Sequence, residues 1–496
     1  MPPAQYGTVP TSDSEAQEVN GVPDNEHGFD ESSSLLGRGK GGASFGPATL
    51  LSSIANLDNT IIGSGMLTFP LAMASSGIIP GIFTCLFCGF VAGLGLYFLT
   101  RCATKVRPYR SASFYSVAQL AFPAASLFFD LAIAIKCFGV SISYLIITKG
   151  LMPQAVRAVY HALNWGDTPA LLGNGRFWII FFMALLMPLC FLRKLDSLRH
   201  TSYVALFSVA YLVVVVIVCY FHPPPGSVPP GEIHLIKFDK DFISTFPVQV
   251  FAFTCSQNVC PAQFVQECSN LLTQLFPIYN ELHTNSQPRM NLVLTTAVGG
   301  ATIIYEIIAI FGYLTFGSNV GANIIAMYPE TTIFVAVGQV AIIILVLFSY
   351  PLQVLPCRNC LDKVWDDADL AVHKIDHAIE GEEDADVEPV VPVHDAHDPS
   401  EMGPVKHIVL TCLIIAASFT IAFFVDDLQL VLSFVGSTGS TTISFILPGL
   451  LYFQLFRHDR DSSRTLKWGA LALAVYGVFI LIFCLSFNIY KVVHSA

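Results

Sequence analysis

The chain has 496 residues, of which 53% are hydrophobic and 12% charged, with a mean hydropathy of +0.61. Soluble domains usually carry about 25% charged residues, so a water-soluble fold is excluded and lipid must be part of the solvent. The net charge of −11 is local: residues 1–45 and 362–405 together hold 21 of the 36 acids but only 4 of the 25 Lys and Arg. The rest of the chain is therefore net positive, and the acidity says little about substrate.

In chain order, residues 1–45 are rich in Ser, Asp, Glu and Gly and are expected to form a disordered cytosolic tail. They are too polar for a cleavable signal peptide. The tail contains Glu31-Ser-Ser-Ser-Leu35-Leu36, the acidic dileucine pattern that sorting adaptors read. Residues 46–490 are expected to form the transmembrane domain. A helical span needs about 20 apolar residues. Such spans fall near 48–77, 80–103, 125–151, 176–193, 200–221, 242–282, 291–316, 331–357, 406–425, 428–456 and 466–490. Open backbone cannot face lipid, so all are read as helices. The fold class is an all-α polytopic membrane protein of about eleven transmembrane helices. The proline-rich stretch 223–240 reads as an extended outer connection, and 362–405 as an acidic cytosolic loop within the domain.

Lys and Arg set the orientation. With the N-terminus cytosolic, 18 fall on the inner side, among them Arg101, Lys105, Arg193, Lys194, Arg457 and Arg460, and 6 on the outer side. Lys136 lies within a span. The C-terminus is then lumenal. The 13 cysteines fall mostly in apolar runs or inner loops and read as free thiols. That includes Cys357 and Cys360, which have no further metal-ligating partners in view.

The first span reads Asn56-Leu-Asp58-Asn59-Thr60-Ile-Ile62-Gly63-Ser64-Gly65-Met66. Glycine in a helix interior costs about 1 kcal/mol, and backbone groups freed in lipid are tolerated only where they line a cavity. A close-packed small-residue contact is the other reading. The sixth span, Phe246-Pro247-Val-Gln-Val-Phe251-Ala-Phe-Thr254-Cys255-Ser256-Gln257-Asn258, is also interrupted at mid-depth. Breaks in the first and sixth spans point to a 5+5 inverted repeat with one extra helix, and a binding site at the midplane.

Four stretches carry a specific resemblance: Asn59-Thr-Ile-Ile-Gly63-Ser-Gly65-Met-Leu, Phe251-Ala-Phe-Thr-Cys-Ser-Gln-Asn258, Phe311-Gly-Tyr-Leu-Thr-Phe-Gly317 and Val435-Gly-Ser-Thr-Gly-Ser440. Over roughly 46–490 the chain resembles the amino acid/auxin permease family, in the branch of the sodium-coupled neutral amino acid transporters and fungal vacuolar amino acid transporters. The resemblance implies secondary active amino acid transport by alternating access. It implies that backbone at Ile62, Gly63, Ser64 and Gly65 and at Thr254, Cys255, Ser256, Gln257 and Asn258 binds the substrate's carboxylate and amine. Asn59 matches an asparagine of the sodium site in the coupled relatives, and Ser349 stands where they carry a threonine. Vacuolar relatives run on protons, so the coupling ion stays open between H+ and Na+, and the membrane expected is vacuolar or another endomembrane. For protons, the deep titratable groups Asp58, Glu306 and Lys136 are the candidates, with Asp58 first and Lys136 as a structural counter-charge.

No metal or other cofactor is expected, nor a nucleic-acid partner. An enzyme is disfavoured because the chain has no clustered His/Asp set, no Gly-x-Ser-x-Gly motif and no phosphate loop. A transporter-like sensor, signalling through the tail or acidic loop, shares the same site and remains the alternative.

One segment breaks the pattern. The family sequence runs from Gln257-Asn258 directly into Leu275-Phe-Pro-Ile-Tyr-Asn-Glu-Leu282, but Val259–Gln274 intervenes. Without those 16 residues the sixth span has 25 residues; with them it has 41, including Gln263, Gln266 and Glu267 near its centre. Unpartnered polar groups there cost several kcal/mol each. The segment reads as translated intron sequence: Val-Cys fits a GTATGT splice donor, and Leu-Thr-Gln fits a branch signal followed by CAG. The alternative is a cytosolic extension of helix six. Sequencing mature transcript across this region is expected to show the sixteen codons removed; their retention would refute the intron reading.

Overall fold

The computed structural model describes residues 50–106, 114–122, 126–193, 201–254, 286–380, 402–459 and 462–495. Regular structure among the described residues is entirely helical. The first crossing is interrupted: α1 (Leu50–Ile61) gives way at Ile62–Gly63 to a 3-10 turn, Ser64–Thr68, and then α2 (Phe69–Ser76). There follow α3 (Ile78–Ala103), the short α4 (Phe114–Ala121), α5 (Ser126–Ala162), α6 (Gly175–Cys190) and α7 (Thr201–Phe221). Next come α8 (Asp241–Phe253), α9 (Gln287–Phe316), α10 (Ile333–Glu380), α11 (Pro404–Phe424), α12 (Leu428–Val435), α13 (Leu447–Phe456) and α14 (Arg464–Ser495). Eight helical stretches are long and apolar enough to span a membrane, and α6 and α8 are shorter apolar helices. With the interrupted α1/α2 pair these give the eleven crossings read from hydropathy.

The structure departs from the sequence reading mainly in lengths. Helix α5 continues past the expected end at 151 to Ala162, and α10 passes 357 and runs on to Glu380, into the stretch expected to be a loop. An apolar window detects where the hydrocarbon ends, not where the helix does. Ala, Leu, Asp and Lys continue a helix well enough in water once it is nucleated. The sorting motif Glu31, Leu35 and Leu36, the residues Cys255–Asn258 and the segment 259–274 all lie outside the described residues.

Two groups of helices form. One contains α1/α2, α3, α8 and α9, with α9 packed on α1, α2 and α3, and α2 on α8. The other contains α5, α6, α10 and α11, and its α5–α10 pairing is the most extensive in the protein. The α12–α13 crossing lies between the groups, since α12 packs on both α8 and α5. In the apolar stretch of α5, 83% of residues are buried, against 33% in α14. Thus α5 is the central pillar and α14 the peripheral helix. Exposed Phe83, Phe90, Phe479 and Ile482 present apolar surface outward, as a lipid-facing wall requires.

Matching cations fix the second group. Buried Arg358, near the charged end of α10, donates from Nη1 to Cys190 O and to Thr411 Oγ1, both at 3.0 Å. At the opposite face, Lys149 of α5 donates to Ala422 O at 2.6 Å and Val425 O at 2.9 Å, and pairs with Asp426 at 2.7 Å. Each cation therefore caps the carbonyl end of a helix, α6 or α11, where unpaired C=O groups and the helix dipole favour positive charge. Under the inverted repeat α5 corresponds to α10 and α6 to α11, so the two caps are equivalent devices at opposite faces.

The α12–α13 crossing is wound as π-helix over Gly436–Ser440 and Thr442–Ile446. Thr441 Oγ1 donates to Gly436 O at 2.7 Å, across this wide turn. Gly436 is required there: a Cβ would stand 2.0 Å from Pro247 O of α8. Such π segments concentrate at functional sites.

Residues 317–332 lie on the same face as Lys149. Arg157 of α5 forms a two-pronged ion pair with Glu330, and Gln339 Nε2 donates to Gln154 Oε1 at 3.0 Å and to Ile325 O at 3.3 Å. The turn Ile324–Met327 reaches down to the break turn Ser64–Thr68, so this face is closed over the break.

Hydrogen bonds to charged groups are worth about 1.5–3 kcal/mol, and stranded acceptors add to the loss. Arg358→Met and Lys149→Met are each expected to lower the melting temperature of the solubilised protein clearly. Lys491→Met, which removes an exposed pair with Asp241, is expected to change it little. Equal shifts in all three would refute the capping role.

Candidate functional site

Both interrupted helices end at the same depth. In α1 the α-helical ladder closes with Ile62 N donating to Asp58 O at 2.9 Å; Gly63 is extended, and Met66 N then donates to Gly63 O at 3.2 Å. In α8, Phe253 is the last helical residue and Thr254 turns to extended backbone, its N–H donating to Phe251 O at 3.0 Å. Gly and Ser at the first break, and Thr at the second, make leaving the helix cheap.

The breaks touch. A Cβ on Gly65 would lie 2.7 Å from Ala252 Cβ, so only glycine allows the first break to lie on α8. Further along the same pair of helices, Ser75 Oγ and Thr245 Oγ1 are hydrogen bonded at 2.8 Å, tying α2 to α8. Thr254 Oγ1 donates to Val250 O and is bonded to Ser444 Oγ, both at 2.9 Å. The π segment thereby becomes a third wall beside the two breaks. A small cavity lined by Gly95, Leu99, Phe253, Thr254, Ile443 and Ser444 opens at this junction.

Ser64 Oγ and Gln249 Oε1, both on residues less than 5% exposed, have no hydrogen-bond partner. Buried polar atoms are nearly always paired in folded proteins. Orphaned ones at a double break give the site hydrogen-bonding capacity that the protein itself does not consume.

The titratable candidates separate. Asp58 sits one turn before the first break, half-buried, with its carboxylate against Gly300 of α9. Glu306, also on α9, has both carboxyl oxygens buried, and the polar group beside them is the Cys85 thiol of α3. Lys136 is buried on α5 against Gly439 of the π segment, on different helices from either acid. For the sodium pair, the side chain of Asn59 is outside the described residues. Ser349 is buried and donates to Leu345 O of its own helix at 2.8 Å. Ile62, Gly63, Ser64, Gly65 and Thr254 are thus brought together, and the described bonds of Ser349 lie elsewhere.

Sequence reasoning missed Tyr305 and Ser444. Tyr305 is fully buried and its hydroxyl reaches Ile61 O at 2.8 Å and Ala252 O at 2.9 Å. The only signal was a Tyr-Glu pair inside an apolar helix. Ser444 lies four residues past the quoted Val435–Ser440 motif, and its relevance depends on the packing of α12–α13 against α8.

The chain is similar to known proteins in sequence and in fold. The family model described as transmembrane amino acid transporter protein matches residues 46–491. Vacuolar amino acid transporter 5 of Schizosaccharomyces pombe is 38% identical over 471 residues, covering 93% of this chain and 99% of the relative. Vacuolar amino acid transporter 6 of Saccharomyces cerevisiae is 33% identical, covering 88% and 98%. Among solved structures, the inward-facing conformation of Mhp1 superposes with a TM-score of 0.51 at 15% identity over 94% of this chain and 96% of that one, a likeness of fold.

Contact between the breaks can be tested directly. Overpacking costs typically about 1–3 kcal/mol, so Gly65→Ala is expected to destabilise the solubilised protein by that order. Adding Ala252→Gly should recover part of the loss. Strictly additive effects in the double mutant would show that the two breaks do not touch.

Proposed function

The chain belongs to the transmembrane amino acid transporter protein family, and from that premise we propose that it is a secondary active amino acid transporter working by alternating access around the double break. The observation that carries this reading is the meeting of the two interrupted helices, Gly65 on Ala252, beside the orphaned Ser64 and Gln249 oxygens. Backbone N–H groups at a helix start suit a carboxylate, and carbonyls at a helix end suit an amine. A free amino acid carries both. Ile62–Gly65 and Thr254, continuing through Cys255–Asn258, are the proposed contacts.

The coupling ion is a proton or sodium. A carboxyl with both oxygens enclosed in hydrocarbon costs several kcal/mol unless it is paired or protonated. The surroundings of Glu306 therefore favour a proton carried by Glu306 and Asp58. Asn59 and Ser349 are the residues for the sodium alternative. The positive-inside bias supports a cytosolic N-terminus, which makes the face closed by 317–332 lumenal. The vacuolar names of the relatives support a vacuolar or other endomembrane location, with Glu31, Leu35 and Leu36 offered to a sorting adaptor. The sensor reading differs in one measurable respect, binding without flux.

Protein reconstituted into liposomes, with and without Val259–Gln274, is expected to accumulate labelled amino acid, drawn from a panel of neutral, acidic and basic ones, under one imposed gradient, proton or sodium. With proton coupling, Glu306→Gln and Asp58→Asn should each cut gradient-driven accumulation at least about tenfold, while exchange of internal for external substrate persists. Binding without flux under either gradient would sink the transporter reading in favour of the sensor. Normal accumulation in both carboxyl variants would remove the proton assignment.

A further inference from the structure

The geometry points to Tyr305 as a positioning residue that holds the two interrupted helices in register with each other. It stands on α9, which is continuous through the level where α1 and α8 both stop. Its hydroxyl lies 2.8 Å from Ile61 O, the last carbonyl of α1, and 2.9 Å from Ala252 O, in the final turn of α8. Its ring is held from both sides by residues of the same two crossings. Phe69, the first residue of α2, stacks on it with centroids 4.5 Å apart, and Phe253, the last residue of α8, meets it edge-on at 5.1 Å.

Two physical points make this more than packing. The last carbonyls of a helix have no intrahelical donor, and in hydrocarbon an unmet carbonyl is costly. A phenol brings one donor to that place, and its single proton serves one carbonyl at a time. The two oxygen–oxygen distances are nearly equal, so one hydroxyl is shared between both helix ends and its removal takes the same donor from each. Tyr305 thus makes the positions of two separate breaks interdependent, with α9 as the fixed reference.

A matched comparison lies two turns along the same helix. Tyr313 is equally buried, but its hydroxyl accepts the backbone N–H of His234 at 2.9 Å, away from both breaks. Removing either hydroxyl deletes one buried tyrosine bond from α9. Of the two, only the Tyr305 hydroxyl is shared between the ends of both interrupted helices.

The consequence for transport rests on the proposed function; the coupling itself does not. Amide hydrogen exchange of the full chain in detergent therefore comes first. In Tyr305→Phe, protection around Ile62–Met66 and around Phe253–Thr254 is expected to fall together, by roughly tenfold for the loss of one buried bond. In Tyr313→Phe both stretches should stay as in the wild type. Loosening at one break only, at neither, or equally in Tyr313→Phe overturns the inference. If Tyr305→Phe fails to fold, 2,3-difluorotyrosine at 305, a stronger donor of the same shape, is expected to raise protection at both breaks, and unchanged protection overturns the inference. In liposomes, Tyr305→Phe should raise KM for the amino acid roughly tenfold with a smaller change in maximal rate, and Tyr313→Phe should not. An unchanged KM in an active Tyr305→Phe protein removes the positioning role. Absence of uptake by the wild type counts against the transporter reading instead, and the exchange experiment then decides the role of Tyr305.

Discussion

Backbone groups that leave a helix inside hydrocarbon must find partners there, and every other feature of this protein is arranged around meeting that demand twice. The helical ladders of α1 and α8 both stop at mid-depth. Neither end could persist against lipid. Each is tolerated because it is enclosed by the other, by α9 and by the π segment of the α12–α13 crossing. Ser64 Oγ and Gln249 Oε1, one on each of the two interrupted crossings, are left without a hydrogen-bond partner.

Such an arrangement needs a frame that does not yield. The α5–α10 pairing supplies it, and the cations at its two ends lock it to its neighbours. Arg358 closes the carbonyl end of α6 at one face, and Lys149 that of α11 at the other. Both cations are buried, so their hydrogen bonds are short of competing water and correspondingly firm. The contrast between the groups is physical. The frame is joined by charge-assisted bonds, whereas the group with the breaks is joined by close glycine contacts, single hydroxyl bonds and aromatic packing. Contacts of the second kind can be exchanged at lower cost than charge-assisted bonds, which fits the proposed rocking of one group against the other.

Carboxyl placement follows the same division. Asp58 and Glu306 both border α9 within the group that holds the breaks, while Lys136 belongs to α5 in the frame. Gly439 of the π segment packs closely against the Lys136 backbone and Cβ on α5. Asp58 lies one turn before the first break, and Glu306 follows Tyr305 on α9. The sequence displayed all three as charged residues within spans and could not sort them, since that depends on which helices become neighbours.

Much of the fold was legible from one-dimensional chemistry. Apolar length located the eleven crossings, because hydrocarbon thickness imposes it on every helix independently. Glycine, serine and threonine at mid-span located both breaks, because these residues lower the cost of leaving a helix wherever they occur. Helix ends in water were misjudged, as α10 shows by continuing to Glu380, since hydropathy stops reporting once the chain leaves lipid. What only the tertiary structure decided were relations between residues far apart in sequence: Gly65 against Ala252, Thr254 with Ser444, and Tyr305 between Ile61 and Ala252. A lone tyrosine in an apolar helix carries no sign of its partners. Its role depends on three separate crossings arriving at one depth, and that is a property of packing rather than of any local pattern.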